Sequence, residues 1–419
     1  MRILVDQSGY ELLNVGDVAM LQSCVLRLRQ QWPDAEIMVV SHAPERLPSY
    51  CPDVIGVGRT FADLPSLQFL PRKLRLASEQ AWKSAAPYLA NRIGHSRSRP
   101  VRPRTVIQAV RAADIVVASG GGYVTDTWWW HAAGILSLLS LAQRLDKPTA
   151  MFGQGIGPIT QRALRAQARA VMPSLKVLGL REEATGRDLS LALGARPESV
   201  TLTGDDALEF IDATQVSGGD ALGINMRVSG YAGVDATAAT AVADVVLEAA
   251  AEFAAPIVGL PVSRYPVDAD IDALRVLLRG AAGRSEIVLD DLDSPGALVR
   301  AAARCRAIVT GSYHSAVFAL AQGVPAVCLT KSSYYDAKFE GLLAMFPGAC
   351  SVISLDQPDC ATRLRTMIAW AWQRPDPARA EARDAAARLR EAGREAYARF
   401  RARIEAPTMA GADRRGRVA

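Results

Sequence analysis

The sequence places a histidine where a strand ends and a helix begins. The segment is Thr310-Gly311-Ser312-Tyr313-His314, and His314 falls in the first turn of the predicted helix. A helix N-terminus attracts anions because its amides are unpaired and its dipole end is positive. An imidazole there is pushed toward the neutral form, and a bound anion returns it toward the cation, so His314 is a candidate general acid. The alternative is a histidine in the capping region without a chemical role.

Two glycine-containing loops are candidates for holding a polar ligand. In Asn14-Val15-Gly16-Asp17, the carboxylate of Asp17 can orient a sugar hydroxyl, whereas the alternative is a helix cap formed by Asn14. In Gly120-Gly121-Gly122, the absence of side chains lets the backbone approach a ligand closely. Neither loop has dinucleotide-binding or Walker spacing, which disfavours nicotinamide and P-loop functions.

Basic side chains follow several of the predicted strands. Because arginine matches the geometry of both phosphate and carboxylate groups, a converging set would suit a ligand that carries both. For each residue alone, a surface ion pair is the alternative. The set comprises Arg181, Arg227, Arg264 and Lys331.

The hydrophobic pattern predicts a scaffold that brings these strand ends together. Short apolar strands alternate with longer helical stretches, which is typical of parallel sheets with crossover helices. We predict an α/β protein with two Rossmann-like, doubly wound domains that face each other across a cleft, where such sheets bind ligands. The predicted domains are residues 1–209 and 220–374, with a linker at 210–219, an amphipathic helix at 375–405 and a disordered tail at 406–419.

Composition excludes several classes of protein. The 419 residues are 50% hydrophobic and 22% charged, which argues against a disordered, fibrous or disulfide-stapled chain. The six cysteines form no Cys-x-x-Cys pair, and no cluster of ligand residues predicts a metal site. The longest apolar run, Ala132 to Ala142, is shorter than the roughly 20 residues of a membrane span. With Asp6 close behind Met1, no signal peptide is predicted, so we expect a cytoplasmic protein.

A basic segment interrupts the first predicted domain at residues 58–104. It holds ten Lys and Arg residues between Arg59 and Arg104 against two acidic residues, a surplus of +8 that exceeds the net charge of +5 for the whole chain. We expect this insertion to attract an anionic membrane surface, at the inner face of the plasma membrane, on which lipid-linked sugars are presented. No nucleic-acid motif accompanies the charge, so nucleic acid is not an expected partner. A solvated basic face is the alternative.

The order of the motifs resembles that of the polysaccharide pyruvyltransferase family over almost the whole folded chain. The matching pieces are Asn14-x-Gly16-Asp17-x-Ala19, Gly120-Gly121-Gly122, Gly153-Gln154-Gly155-Ile156-Gly157-Pro158, Arg181-Glu182, Asp206-Ala207, His314 with Phe318-Ala319-x-x-x-Gly323-Val324-Pro325, and Phe339-Glu340-Gly341-Leu342. The resemblance implies a fold like that of GT-B glycosyltransferases. It also implies phosphoenolpyruvate as co-substrate, no cofactor, and a pyruvate ketal on two hydroxyls of a sugar or lipid-linked oligosaccharide as product.

The resemblance also implies roles for particular residues. His314 would protonate the enol carbon of the donor. The donor side would comprise Arg227, Arg264, Lys331, Ser312 and Tyr313, and the acceptor side Asn14, Gly16, Asp17, Gly120, Gly121 and Gly122.

The chain departs from the family pattern at one position. The family commonly has Arg-x-His where this chain reads Ser312-Tyr313-His314, so Lys331, Lys338 or Arg264 is expected to supply the missing cation, with Lys331 preferred. Two alternatives stay open: a GT-B glycosyltransferase that uses a nucleotide sugar, and an inactive carbohydrate-binding relative.

Overall fold

The computed structural model describes residues 1–59, 105–183, 186–211, 219–229, 232–266, 269–281, 285–287 and 294–406. Most of the predicted basic insertion, most of the predicted linker and nearly all of the predicted tail lie outside these ranges. All six cysteines lie within them as free thiols, five of them buried. Among the helices of the described ranges, none is long and apolar enough to cross a membrane.

Residues 2–202 build a first sheet of eight parallel strands. The order is β3-β2-β1-β4-β6-β7-β8, and β5 pairs with β6. The central strands are apolar on both faces because helices cover both sides of the sheet. Strands β1 to β8 are Arg2–Asp6, Glu36–Ser41, Ile55–Gly58, Ile115–Ala118, Gly121–Val124, Thr149–Ile156, Val177–Leu180 and Val200–Leu202. Helices α1 to α6 are Val15–Gln31, Leu47–Tyr50, Val106–Ala112, Trp129–Arg144, Arg162–Val171 and Gly186–Ala192.

Residues 221–354 build a second sheet of six parallel strands in the order β11-β10-β9-β12-β13-β14. This is the doubly wound order of a Rossmann fold. Strands β9 to β14 are Ala221–Asn225, Ile257–Gly259, Ser285–Ile287, Cys305–Thr310, Ala326–Thr330 and Cys350–Ser354. Helices α7 to α13 are Ala236–Glu252, Asp270–Leu277, Pro295–Ala303, Tyr313–Leu320, Ser333–Met345, Cys360–Trp372 and Asp376–Glu405.

The strand order of the second sheet reverses between β9 and β12, and doubly wound sheets bind ligands at such a point. Arg227 follows β9, and His314 follows β12. The predicted fold class, two Rossmann-like sheets with a C-terminal helix, is confirmed. The sequence pattern did not predict strands β3, β5 and β14, which are short or rich in glycine or polar residues.

Helix α13 returns from the second sheet to the first. Ala382 and Ala386 pack in the core of the second sheet, whereas the ring of Tyr397 stacks on Phe152 of β6 at 3.7 Å between centroids. A buried ionic network holds this helix near α1. The Arg27 guanidinium lies 2.5 Å from Asp206 Oδ1 and 3.0 Å from Glu209 Oε2, and Glu209 also pairs with Arg394 of α13.

The two sheets are also joined by backbone pairing at the start of α1. Asn14 forms an antiparallel bridge with Ser263. The Val15 amide donates to the Val262 carbonyl at 3.0 Å, and the Arg264 amide donates to the Leu13 carbonyl at 2.7 Å. The N-terminus of α1 is therefore fixed against the loop that follows β10.

Candidate functional site

His314 lies where two helix N-termini meet. It is in the first turn of α10, and a Cβ added to Gly16 in the first turn of α1 would overlap its Cγ and Nδ1 atoms. The Asn14 side chain caps α1 by accepting hydrogen bonds from the amides of Gly16 and Asp17. The imidazole is 7% exposed, so it is enclosed between the two sheets.

Burial and neighbouring cations control the charge of His314. Burial lowers the pKa of His314 to about 3; the Asp17 carboxylate opposes this shift, whereas Arg181, Lys338 and Arg227 add to it. Asp205 Oδ2 lies 3.6 Å from Nε2 of the imidazole. His314 is therefore neutral at physiological pH unless an anion binds beside it.

Arg181 is a permanent buried cation in the same cluster. It follows β7, its Nε donates to Glu182 Oε1 at 2.6 Å, and its Nη1 lies 3.6 Å from Asp205 Oδ2. Its Cζ stands 4.2 Å from the ring centroid of Tyr313. Burial alone would lower the pKa of Arg181, but Glu182, Tyr313 and Asp205 raise it above its usual value.

Three buried polar atoms of this cluster have no hydrogen bond in the described parts of the chain: Arg181 Nη2, His314 Nε2 and Asp205 Oδ2. More than about nine in ten buried polar groups are hydrogen-bonded in native structures, because an unsatisfied one costs roughly 1–3 kcal/mol. Their concentration at one place indicates a site built for a polar occupant.

Helix α11 closes this site from the second sheet. Lys338 Nζ donates to the Tyr334 hydroxyl, which donates to the Gly122 carbonyl at 2.8 Å and accepts from Trp128 Nε1 at 3.0 Å. Burial and the neighbouring Arg181 lower the pKa of Lys338, the charges of Glu182, Asp17 and Asp205 oppose this shift, and the net value is about 7. A small cleft remains, lined by Gly122, Gly155, Ile156, Gly157, Arg181, Glu182, Tyr334, Ala337 and Lys338.

Gly122 brings the two cations of the cleft together. A Cβ on this residue would lie 2.7 Å from both Arg181 Nη2 and Lys338 Nζ. We therefore expect Gly122→Ala to displace both side chains and to raise the dissociation constant of an anionic donor by about tenfold or more, the loss of one charge-assisted hydrogen bond. Calorimetric titration of phosphoenolpyruvate measures this. Thermal unfolding of the variant, expected to resemble wild type, shows whether the fold is kept.

Arg227 is held by a fixed carboxylate. Its Nη1 lies 3.4 Å from Asp270 Oδ1, and Asp270 Oδ2 accepts from Asn225 Nδ2 and from the amides of Val262 and Ser263, each at 2.9 Å. This network fixes the guanidinium, and its charge contributes to the lowered pKa of His314.

Arg227→Ala should weaken binding of an anionic donor by about 1.5–3 kcal/mol if the guanidinium makes a charge-assisted hydrogen bond to it. Titration with phosphoenolpyruvate gives the value. An unchanged dissociation constant would leave Arg227 with a structural role at Asp270 only.

The other predicted donor residues lie at different distances from the cluster. The ring of Tyr313 packs under Arg181. Ser312 occupies the N-cap position of α10 without a side-chain capping bond, and its amide donates to Thr310 Oγ1 at 2.9 Å. Lys331 Nζ lies 3.7 Å from the exposed carboxylate of Asp235. Arg264 is half-buried on the loop that pairs with Leu13. A role for Lys331 or Arg264 in donor binding stays a prediction.

The predicted acceptor residues surround the start of α1. The half-buried Asp17 carboxylate accepts a hydrogen bond from Ser8 Oγ at 2.9 Å. Its negative charge acts to raise the pKa of His314. Gly120 packs against Met20 and Asp206, and Gly121 packs against the Tyr123 ring, so these two glycines serve close packing. Within the described ranges, no group of three or more His, Cys, Asp or Glu side chains could hold a metal ion.

A family model for polysaccharide pyruvyl transferase matches residues 14–333. The chain belongs to this family. No curated protein matches the chain. The matched range contains every segment on which the resemblance rests except Phe339-Glu340-Gly341-Leu342.

Solved structures similar to this member of the pyruvyl transferase family show its fold. A putative UDP-N-acetylglucosamine 2-epimerase from Listeria monocytogenes has a TM-score of 0.60 at 13% identity, covering 96% of each chain. S. aureus MnaA, in a co-structure with UDP, has a TM-score of 0.60 at 14% identity, covering 96% of this chain and 97% of its own. UDP-GlcNAc 2-epimerase from Neisseria meningitidis has a TM-score of 0.55 at 11% identity, covering 94% and 99%. The expected GT-B-like architecture is confirmed.

Several residues of the pyruvyl transferase site were absent from the residues assigned from sequence. Arg181 was one of the strand-terminal cations but received no role on the donor or acceptor side, and Glu182 carried only part of the resemblance. Lys338 was an alternative to Lys331, and Asp205 was not singled out. Asp205 was detectable in principle, because it follows strand β8 as Arg181 follows β7. Tyr334 and Lys338 lie within a helix, so no strand-terminal signal marks them.

Proposed function

We propose that this protein transfers the pyruvyl group of phosphoenolpyruvate to two hydroxyls of one sugar, forming a pyruvate ketal. The observation that carries the proposal is the cluster of buried Arg181 and His314 with half-buried Lys338, around unsatisfied polar atoms. A donor with both a phosphate and a carboxylate is strongly anionic, and burying such charge without cations is prohibitively costly. The cluster would supply those cations in this chain, which has Ser312 where the family pattern has an arginine.

The reaction requires two sugar hydroxyls to lose a proton each, and the enol carbon and the leaving phosphate to gain one each. The enol carbon gains a proton while the first sugar oxygen bonds to the neighbouring carbon and loses its proton. The second sugar oxygen then displaces phosphate, losing its own proton, and the leaving phosphate gains one. Two hydroxyl protons are thus redistributed to the new methyl group and to phosphate.

The geometry supports an assignment of sides. The cleft next to Arg181, Lys338 and Gly122 suits the donor, since both cations meet there. The start of α1, with Asp17, suits the sugar, because a carboxylate orients hydroxyls without competing for the donor's negative charge. His314 lies between the two sides and contacts Gly16.

A lipid-linked oligosaccharide as acceptor belongs to the same proposal, as does an anionic membrane surface at the cytoplasmic side that presents it. Both depend on the sequence of the basic segment at 58–104. Vesicle co-sedimentation at low and high salt tests the membrane part, since binding through Lys and Arg is screened by salt.

Donor competition tests the proposed function. The protein is incubated with phosphoenolpyruvate or with UDP-N-acetylglucosamine, and with a panel of nitrophenyl glycosides as acceptors. We expect phosphate release and a product heavier than the acceptor by one pyruvate less one water. Release of UDP without phosphate would identify a nucleotide-sugar glycosyltransferase instead. Reaction with neither donor, together with saccharide binding, would identify a carbohydrate-binding relative.

A further inference from the structure

We propose that the Lys338 ammonium is the proton donor to the enol carbon and that neutral His314 is the base that accepts the proton of the attacking sugar hydroxyl. This assignment rests on the proposed function, and it reverses the role that the sequence suggests for the histidine.

The two ring nitrogens of His314 face different groups. Nε2 lies 3.6 Å from Asp205 Oδ2, whereas Nδ1 lies against Gly16, next to Asp17 on the acceptor side. A carboxylate beside Nε2 favours the tautomer with its proton on that nitrogen. The Nδ1 lone pair then faces the start of α1, where the sugar hydroxyl is placed.

A neutral His314 has a lone pair that can accept a proton, and a bound anionic donor strengthens it as a base by raising its pKa. Its pKa is lowered to about 3 by burial and by Arg181, Lys338 and Arg227, so it enters the reaction without an acidic proton. Once it accepts a proton, the nearby Asp205 carboxylate offsets part of the new charge.

Lys338 occupies the donor side and can exchange a proton. It meets Arg181 at Gly122, but a guanidinium stays protonated in proteins, so the lysine is the cation of this pair that can act as an acid. One N–H of Lys338 bonds to the Tyr334 hydroxyl, which is itself fixed by Gly122 and Trp128. The remaining ammonium protons are available to the cleft.

The pKa of Lys338 depends on charged side chains from several neighbouring segments of the chain. Arg181 from β7 lowers its pKa, and Glu182, Asp17 and Asp205 raise it, with burial as the largest effect and a value of about 7 as the result. General acids are most effective when their pKa is near the operating pH. A bound anionic donor raises the pKa of both residues, and Lys338 is the nearer of the two to its protonated form at neutral pH.

The proton balance closes over one turnover. In the first step an N–H bond of Lys338 breaks as the new C–H bond forms at the enol carbon, while the sugar O–H proton passes to Nδ1 of His314. In the second step the imidazolium gives its proton to the departing phosphate, and the second sugar hydroxyl gives its proton to the Lys338 amine. Both residues return to their starting forms.

Lys338→Arg tests the assignment, because arginine keeps the charge but cannot donate the proton. We expect the dissociation constant of phosphoenolpyruvate to stay within a few-fold of wild type and kcat to fall by roughly 10²–10⁴-fold. The matched control is Lys176→Arg, outside the cleft, which should leave both values unchanged. If Lys338→Arg keeps a kcat near wild type, Lys338 only anchors charge and the assignment is wrong.

A second variant guards against a merely structural effect. Lys338→Ala should regain part of its kcat when methylammonium or ethylammonium is added, and the regained rate should depend on the pKa of the amine. Proton uptake gives a readout independent of turnover: at pH 8, phosphoenolpyruvate binding should take up a proton in wild type and less in Lys338→Arg, as seen by calorimetry in buffers of different ionisation enthalpy. No rescue together with unchanged proton uptake would overturn the assignment.

The same measurements separate the two proposals. If the wild-type protein does not bind phosphoenolpyruvate, both the proposed function and the role of Lys338 are wrong. If the wild-type protein binds it and releases phosphate while Lys338→Arg is equally fast, only the role of Lys338 is wrong.

Discussion

His314→Gln should lower kcat by roughly 10²–10⁴-fold, because a positioned acid or base contributes about that factor. The expectation holds whether the imidazole gives or takes the proton, since glutamine does neither. The measurement is phosphate release from phosphoenolpyruvate at saturating donor and acceptor. Asn or Gln at this position keeps polarity, so the fold should survive.

The control for this prediction is His42→Gln. His42 is an exposed histidine whose Nδ1 lies 3.2 Å from Glu11, so its loss should leave kcat unchanged. Matching thermal unfolding of wild type and His314→Gln excludes misfolding. A folded His314→Gln variant with wild-type turnover would contradict any role of the histidine in proton transfer.

Arg27→Met should destabilise the protein by about 3–5 kcal/mol, the usual cost of removing one partner from a buried ion pair. Arg27 is 1% exposed, and its loss would leave Asp206 and Glu209 without their shared cation. Burial already raises the pKa of Asp206 to about 6, against the charge of Arg27. Urea denaturation followed by far-UV circular dichroism gives the free energy of unfolding.

A matched exposed pair provides the comparison for Arg27. Arg187 lies 3.6 Å from Glu183, one helical turn away, with both side chains at least 40% exposed. Arg187→Met should change the free energy of unfolding by about 1 kcal/mol or less. A similar small change in Arg27→Met would show that the buried network does not hold α13 in place.

The parts of the site that the sequence reveals are those attached to strand ends. His314, Arg227 and Gly16 each follow a strand or begin a helix, and parallel topology brings such positions to one edge of a sheet. The structure therefore places them near each other, as the pattern predicts. The sequence pattern predicts these positions because the residues that mark the end of the strand, the turn and the start of the helix lie within a few positions of each other.

The parts that the sequence does not reveal depend on contacts between the two sheets. Lys338 and Lys331 both follow β13, and their spacing alone does not tell which one reaches the first sheet. In the structure, Lys331 lies beside Asp235. Lys338 lies beside Gly122 of β5, because the face of α11 that carries Tyr334 and Lys338 packs against that strand.

Gly393 in α13 is another residue whose role cannot be predicted from the sequence pattern. A glycine inside a helical pattern lowers the expectation of a continuous helix. In the structure, a Cβ at Gly393 would lie 2.8 Å from Nη1 and 2.9 Å from Nη2 of Arg27, so the close approach of the guanidinium requires glycine. Only the fold of the complete chain supplies that reason.

The backbone bridge between Asn14 and Ser263 resists separation of the two sheets more strongly than the side-chain contacts of the cleft do. Separation at this bridge would break two main-chain hydrogen bonds, from Val15 to Val262 and from Arg264 to Leu13. The sheets are also joined through the Tyr334 hydroxyl, which bonds to Gly122 and Trp128, and a change of the Tyr334 rotamer releases these bonds. We therefore expect a substrate entering the cleft to displace the Tyr334 side chain before it separates the main-chain bridge.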